Sequence, residues 1–320
     1  MEERFLVTGA TGCIGAWVVR NLVRENVPVC VTVYDPSLHR LQLIMSPEEI
    51  EKVDFKKGDI TDLSFVERAL QDFGATHVIH LAALQVPFCK EDPPQGARVN
   101  VLGTINVFEA AKRSGLRKVV YASSAAVYGL SDEYSPGALP HEASLNPRSH
   151  YGVYKQANEG NARVYWLDDG IASIGLRPYV VYGPGRDQGM TSTPTKAMLA
   201  AARGEPYHIS YGGRFQLQYA DDVAKAFIKA SRTDHQGAEV FNIGGTSVTM
   251  EEVVQTIEAI VPSRKGTITF EDKPLPFPEE MDNSQLVACL GPLHETSLKD
   301  GISETIAIFK DALKVGNITV

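Results

Sequence analysis

The sequence predicts an α/β protein: a doubly wound parallel sheet followed by a smaller C-terminal α/β region. Three observations carry this. Over residues 4–178, short apolar runs alternate with longer runs whose apolar residues recur at helical spacing. The short runs are apolar throughout rather than at every second position, as strands must be when helices cover both faces of their sheet. A glycine-rich turn, TGATGCIG at 8–15, joins the first apolar run to the first helical one.

The elements follow in order. RFLVTG (4–9) reads as a buried strand, and 13–26 as a helix with Ile14, Val18 and Leu22 on one face. Residues 27–35, 53–59 and 76–83 are strands, with a helix over 63–73 between the last two. A long helix over 96–115 stops at Gly115, followed by a strand over 117–124. HYGVYKQANEGNARVYWLDD (150–169) is a helix, and 171–178 a strand. Beyond it the pattern loosens. A polar glycine-rich loop spans 183–193, and a helix follows that ends at Gly204. Helices are expected over 221–232, 249–261 (N-capped by Thr249) and 297–314, with a strand at 238–245 and an extended proline-rich stretch at 272–280. The division is a first domain over 1–178, completed by about 215–245, and a mainly substrate-binding region over 179–320.

The 320 residues suffice for one large domain or two modest ones. With 43% hydrophobic and 22% charged residues the composition is that of a globular protein, not a disordered one. The net charge of −8 and the lack of any Lys/Arg block argue against a nucleic-acid partner. No run approaches the roughly 18 apolar residues that span a bilayer, and MEERFLVTGA does not read as a signal peptide. Cys13, Cys30, Cys89 and Cys289 are widely spaced, which fits free thiols and a cytoplasmic location. The eight histidines show no ligand spacing, so no metal is expected.

The glycine turn is where a dinucleotide's pyrophosphate is expected. Gly9 permits the tight turn, Gly12 lets the phosphates approach the backbone, and Gly15 lets helix pack on sheet. The helix N-terminus adds free N–H groups and partial positive charge. Asp35, at the end of the second strand, can bond the ribose hydroxyls and repel a 2′-phosphate, which favours NAD over NADP. Asp35-Pro36 also suits a plain turn, and Arg40 lies near enough in sequence to serve a 2′-phosphate.

The chain resembles the extended short-chain dehydrogenase/reductases, in particular their NAD-dependent epimerase/dehydratase branch. The resemblance rests on TGATGCIG, GDITD (58–62), HLAA (80–83), NVLGTINVFEAA (100–111), YASSAAVYG (121–129), YGVYK (151–155) and LRPYVVYGPG (176–185), in the expected order over about 245 residues. It implies a Rossmann-type sheet with substrate bound between the two regions. It also implies NAD contacts from Gly9, Gly12, Cys13, Ile14 and Gly15, with Asp59 and Ile60 flanking the adenine. Leu81, Ala82 and Ala83 would line the phosphate and ribose path, Asn100 would support it, and Tyr179 would lie near the nicotinamide. Ser124, Tyr151 and Lys155 fall on the catalytic positions.

These residue types suit hydride-transfer chemistry. A free phenol has a pKa near 10, too high for a base at neutral pH. A lysine one helical turn away and the positive nicotinamide ring are expected to favour the phenolate of Tyr151. Ser124 can orient the substrate oxygen, with Ser123 as its rival; Tyr154, Tyr128 and His80 read as packing residues. Relatives acting on nucleotide sugars place an arginine where this chain has Phe215, with Arg214 one residue early. They carry a second arginine where it has DKPLPFPEEMD, and an Asn where it has Val180. Diphosphates generally need such partners, so a small sugar, sugar acid or other hydroxy acid is expected. Gln85, Ala125, Arg186, Thr191 and Arg214 are the candidate substrate contacts; Arg186 reads equally as a carboxylate partner or a solvated loop charge. Dehydrogenase, epimerase with tightly held NAD, and non-catalytic NAD sensor all remain open. The resemblance also implies a homodimer through helices 96–115 and 150–169.

Overall fold

The computed structural model describes residues 2–35 and 37–316; Pro36, the second half of the expected Asp-Pro turn, lies outside them. The strands of the first half are β1 (Phe5–Thr8), β2 (Val29–Val33), β3 (Asp54–Lys57), β4 (His77–His80), β5 (Lys118–Ala122) and β6 (Ala172–Arg177). Those of the second half are β7 (Val180–Tyr182), β8 (Tyr207–Ile209), β9 (Arg214–Tyr219), β10 (Ala238–Asn242), β11 (Thr246–Thr249) and β12 (Ile268–Phe270).

The main sheet runs β10-β6-β5-β4-β1-β2-β3, and all its pairings are parallel. The chain winds outward from β1 to β3, then restarts at β4 on the other side of β1, so the winding reverses between β1 and β4. Beyond the carboxyl ends of these two strands lies the crevice where doubly wound sheets bind ligands. Every residue of β1, β2 and β6 is buried, because helices cover both faces. The helix Cys13–Arg24 buries Ala16, Trp17, Val19 and Val23 against one face.

Two helices depart from ordinary patterning. The expected helix over 96–115 is two α-helical pieces, Pro93–Ala97 and Gly103–Arg113, joined by a π-helical stretch, Arg98–Leu102. The Asn100 carbonyl there accepts from Thr104 Oγ1 and Asn158 Nδ2, both at 2.8 Å. Such bulges often mark functional sites. The helix His150–Asp169 matches the expected bounds, with Ser149 accepting from the Gly152 N–H and Gly170 left-handed at its end. It buries Lys155, Asn158 and Glu159 while exposing Val153, Val164 and Leu167, the reverse of an ordinary amphipathic helix.

The C-terminal region holds two small sheets, β11-β9-β7 and β12-β8. The expected return of 215–245 to the first domain is divided. β9 belongs to a small sheet, whereas the helix Ala220–Arg232 packs on Cys13–Arg24 and β10 pairs with β6. The proline-rich stretch 272–280 bends repeatedly and forms no strand; the Glu279 carbonyl accepts from the Gln216 N–H at 3.0 Å.

Candidate active site

The glycine turn sits at the switch point. Gly9 has φ +72°, and a Cβ there would lie 2.5 Å from the Ala82 nitrogen. A Cβ on Gly15 would lie 2.2 Å from the Gly9 carbonyl oxygen, so turn, helix and the loop after β4 can close together only without side chains. We expect Gly9→Ala to cost about 2 kcal/mol or more and to abolish NADH binding, read by chemical denaturation and fluorescence titration. Native stability with intact binding would show that the turn can relax.

An open cleft with about 1210 Å³ of empty space, its mouth included, runs from this turn. Of the expected cofactor residues, Gly9, Gly12, Cys13, Asp35, Asp59, Ile60, Leu81, Ala82 and Ala83 line it, and of the candidate substrate residues Gln85 and Arg186 do. Ile14, Gly15, Asn100, Tyr151, Lys155 and Tyr179 are not in the lining. Gly15 acts through packing. Asn100, fully buried, exchanges two hydrogen bonds with the backbone of Leu84 (2.7 and 2.9 Å) and so holds the loop after β4. The cradle fits a dinucleotide: a glycine turn at a helix N-terminus with no side-chain cap, and an exposed carboxylate, Asp35, at the end of β2.

Arg40 is committed elsewhere than to a 2′-phosphate. It donates to the Thr11 carbonyl (2.8 Å) and to both oxygens of Asp187 (2.7 Å from Nη2), and His39 Nε2 meets Asp187 at 3.1 Å. This clamp fastens the 183–189 loop beside the glycine turn. Asp35 lines the cleft, and its Oδ1 also accepts from the Ser37 N–H at 2.9 Å, so it serves the turn that the sequence suggested as well.

At the catalytic end the Ser124 hydroxyl bears on the phenol of Tyr151 and works against the rise in its pKa. Ser124 Oγ also accepts from the Ala126 N–H at 3.1 Å. Ser123 is committed to Glu159, which separates the two serines. Lys155 is 3% exposed; its ammonium stands 5.7 Å from the centre of the Tyr151 ring and donates to the Ala122 carbonyl at 2.6 Å. Burial pushes its pKa down to about 8.

The expected acidification of Tyr151 is not what the protein alone produces. Burial raises the phenol's pKa, and the Ser124 hydroxyl and the charge of Arg186 act against that rise. The ammonium of Lys155 is turned to a backbone carbonyl, so the cation bearing on the phenol is Arg186. Tyr154 bonds the Pro93 carbonyl at 2.8 Å and points away. His80 lies between Thr8 (2.6 Å) and Thr104 (3.0 Å), buried and held neutral, with its pKa near 3 because of burial and the Lys155 charge.

The candidate substrate residues divide. Arg186 Nη2 donates to Thr191 Oγ1 at 2.9 Å, and a Cβ on Gly189 would lie 2.9 Å from Gln85 Oε1 and 3.4 Å from Arg186 Nη2. Gln85, Arg186 and Thr191 therefore meet. Ala125, whose N–H donates to the Pro178 carbonyl at 3.0 Å, sits beside Ser124. Arg214 does not join them. It heads β9 on the exposed side and reaches Ser247 on β11 at 3.4 Å, while Phe215 takes the buried side. Sequence reasoning missed Asp187, which no local motif marks.

A dinucleotide cradle together with a half-buried tyrosine and serine and a buried lysine defines a dinucleotide-dependent enzyme of hydride-transfer type. The profile of the NAD dependent epimerase/dehydratase family matches residues 5–244, and the chain belongs to that family; its cofactor is NAD. A UDP-glucose 4-epimerase of Mycolicibacterium smegmatis is 31% identical over 96% of this chain and 99% of its own length. The UDP-glucose 4-epimerase of Thermotoga maritima, solved with UDP-glucose, is 26% identical, with a TM-score of 0.80 over 97% of this chain and 99% of that one. An L-threonine dehydrogenase of Clostridium difficile shares the fold, at TM-score 0.83 and 21% identity over 97% of this chain and 98% of that one. No helix among the described residues is long and apolar enough to cross a membrane.

Proposed function

We propose that the protein is an NAD-dependent oxidoreductase acting on a hydroxyl of a small sugar, sugar acid or other polyhydroxylated molecule. The observation that carries the reading is the Tyr151–Ser124 hydroxyl pair with Lys155 buried one turn away. Bound NAD supplies the hydride acceptor. Ser124 orients the substrate hydroxyl, and Tyr151 takes its proton at the phenol oxygen. Lys155, buried with a lowered pKa, keeps a donor ready for the cofactor ribose. The small-substrate reading is supported by Arg214's position away from the cleft and by the lack of arginine in 272–280.

The second reading is an epimerase that returns the hydride to the other face of the intermediate. It is favoured by the UDP-glucose 4-epimerase relative that matches nearly the whole chain. The two separate by NADH accumulation over a panel of sugars, sugar acids, UDP-glucose and UDP-glucuronate. Steady NADH formation supports the oxidoreductase; interconversion of a nucleotide sugar without NADH overturns it. Binding of NAD with no turnover of any kind leaves only the sensor reading.

The outer face of the helix His150–Asp169 supports a homodimer. Val153, Ala157, Gly160, Val164 and Leu167 form a continuous exposed seam at spacings of four and three, and Leu167 is 70% exposed. Leu167→Glu is expected to give monomers in sedimentation at micromolar concentration where the native chain gives dimers. A native chain that sediments as a monomer excludes this interface.

A further inference from the structure

Among the buried side-chain atoms with no hydrogen-bond partner among the described residues are Arg186 Nε, Tyr179 Oη and Tyr211 Oη. Leaving such an atom unpaired costs about 1–3 kcal/mol, and three together call for an explanation. They share one region. Tyr211 is acted on by both Tyr179 and Arg186, and Arg186 in turn acts on Tyr151. Ser210, next to Tyr211, meets Thr193 at 3.3 Å, which brings this turn to the loop that carries Thr191 and Arg186. Tyr179 follows Pro178, whose carbonyl anchors Ala125 beside Ser124.

Arg186, Tyr179, Tyr211 and Thr191 can all donate hydrogen bonds, and Arg186 is the charged member of the four. We propose that this corner receives a carboxylate carried by the substrate, with the Arg186 guanidinium as its counter-charge and the Tyr211, Tyr179 and Thr191 hydroxyls as its further donors. The proposal rests on the oxidoreductase reading and narrows its substrate to a hydroxy acid. Guanidinium matches carboxylate geometry with two parallel bonds, and Nε is one of the two nitrogens such a pair uses. A monoanion fits better than a diphosphate, because the other arginine of the cleft, Arg40, is neutralised by Asp187 and Arg214 lies elsewhere. The exposed Glu279 bears on Tyr179, so the carboxylate belongs on the Arg186 and Tyr211 side. Since the Arg186 charge reaches Tyr151, one molecule can present its carboxylate to Arg186 and its reacting hydroxyl to Tyr151.

The rival assignment gives Arg186 to the cofactor phosphates, since it also acts on Cys13 in the glycine turn. The test uses full-length protein saturated with NAD and two matched probe pairs, D-gluconate with D-glucitol and L-threonate with L-threitol. Binding is measured by calorimetry, and NADH affinity by fluorescence titration. The carboxylate of at least one pair is expected to bind about tenfold or more tightly than its neutral partner. Arg186→Gln should erase that preference, and Tyr211→Phe should reduce it severalfold, with NADH affinity within twofold of native in both. Equal binding of acid and polyol, or no binding by any probe, overturns the proposal. So does Arg186→Gln if it weakens NADH about tenfold and spares the preference, because the arginine is then a cofactor residue. The readout is binding, so carboxylates that bind without forming NADH support this corner and defeat the oxidoreductase reading alone.

Discussion

Tyr151→Phe is expected to lower kcat by about 100- to 10,000-fold while leaving NADH affinity and Tm close to native. The substitution removes one oxygen, the atom on which Ser124 bears, and keeps the ring at the start of the helix. The pH dependence carries a further expectation. Burial raises the phenol's pKa and the Arg186 charge lowers it, so the acid limb of kcat/KM for oxidation should move to higher pH in Arg186→Gln. A limb that stays fixed would show that another group is being titrated. Lys155→Met separates function from stability at the same site. The ammonium is 3% exposed and its pKa is pushed down to about 8, below the ordinary lysine value. Between those two pH values the unfolded chain binds more protons, so native stability rises with pH across the window and the buried charge is a burden below it. Lys155→Met should therefore hold or raise Tm at neutral pH while activity is lost. If Tyr151→Phe keeps half of the native kcat, the phenol is not the base and the proposed chemistry fails.

What the sequence disclosed and what it hid follow a physical division. Local geometry was legible: a strand, a glycine turn and a helix within 20 residues dictate where a pyrophosphate can approach, and Ser149 and Gly170 bound the helix carrying Tyr151 and Lys155. Side-chain direction at a distance was not. Arg214 matched its expected position to within one residue, but one residue in a strand is the difference between the two faces of the sheet. Arg40 and Asp187 are separated by 147 positions, so no spacing rule pairs them. The direction of the Tyr151 shift was missed because helical spacing gives the distance of a lysine but not the burial of the phenol. The short strands β7, β8, β11 and β12 span only three or four residues, too few for an alternation to show.

Arg177→Met is expected to destabilise the protein by about 3–5 kcal/mol, the largest effect on stability expected here. Arg177 ends β6 at 4% exposure and Glu159 lies on the catalytic helix at 8%. They are joined by two parallel bonds, Nε to Oε1 at 2.8 Å and Nη2 to Oε2 at 2.7 Å. Burial works against the guanidinium's charge, and the bonds to Glu159 more than offset it. The pair extends to Ser123, Tyr128 and the His141 carbonyl, and Tyr128 passes it on to Asn242 of β10 at 2.7 Å. Removing Arg177 alone strands the Glu159 carboxylate in the interior. Replacing both, as Arg177→Met with Glu159→Leu, removes the stranded charge and should recover much of the lost stability in a double-mutant cycle by urea denaturation. Activity should not recover with it, because Ser123 loses the partner that fixes the backbone next to Ser124. Full recovery of both would make the pair a filler of the core. A single-mutant cost below about 1 kcal/mol would mean that water reaches the carboxylate and that the network does not hold β6 to the catalytic helix.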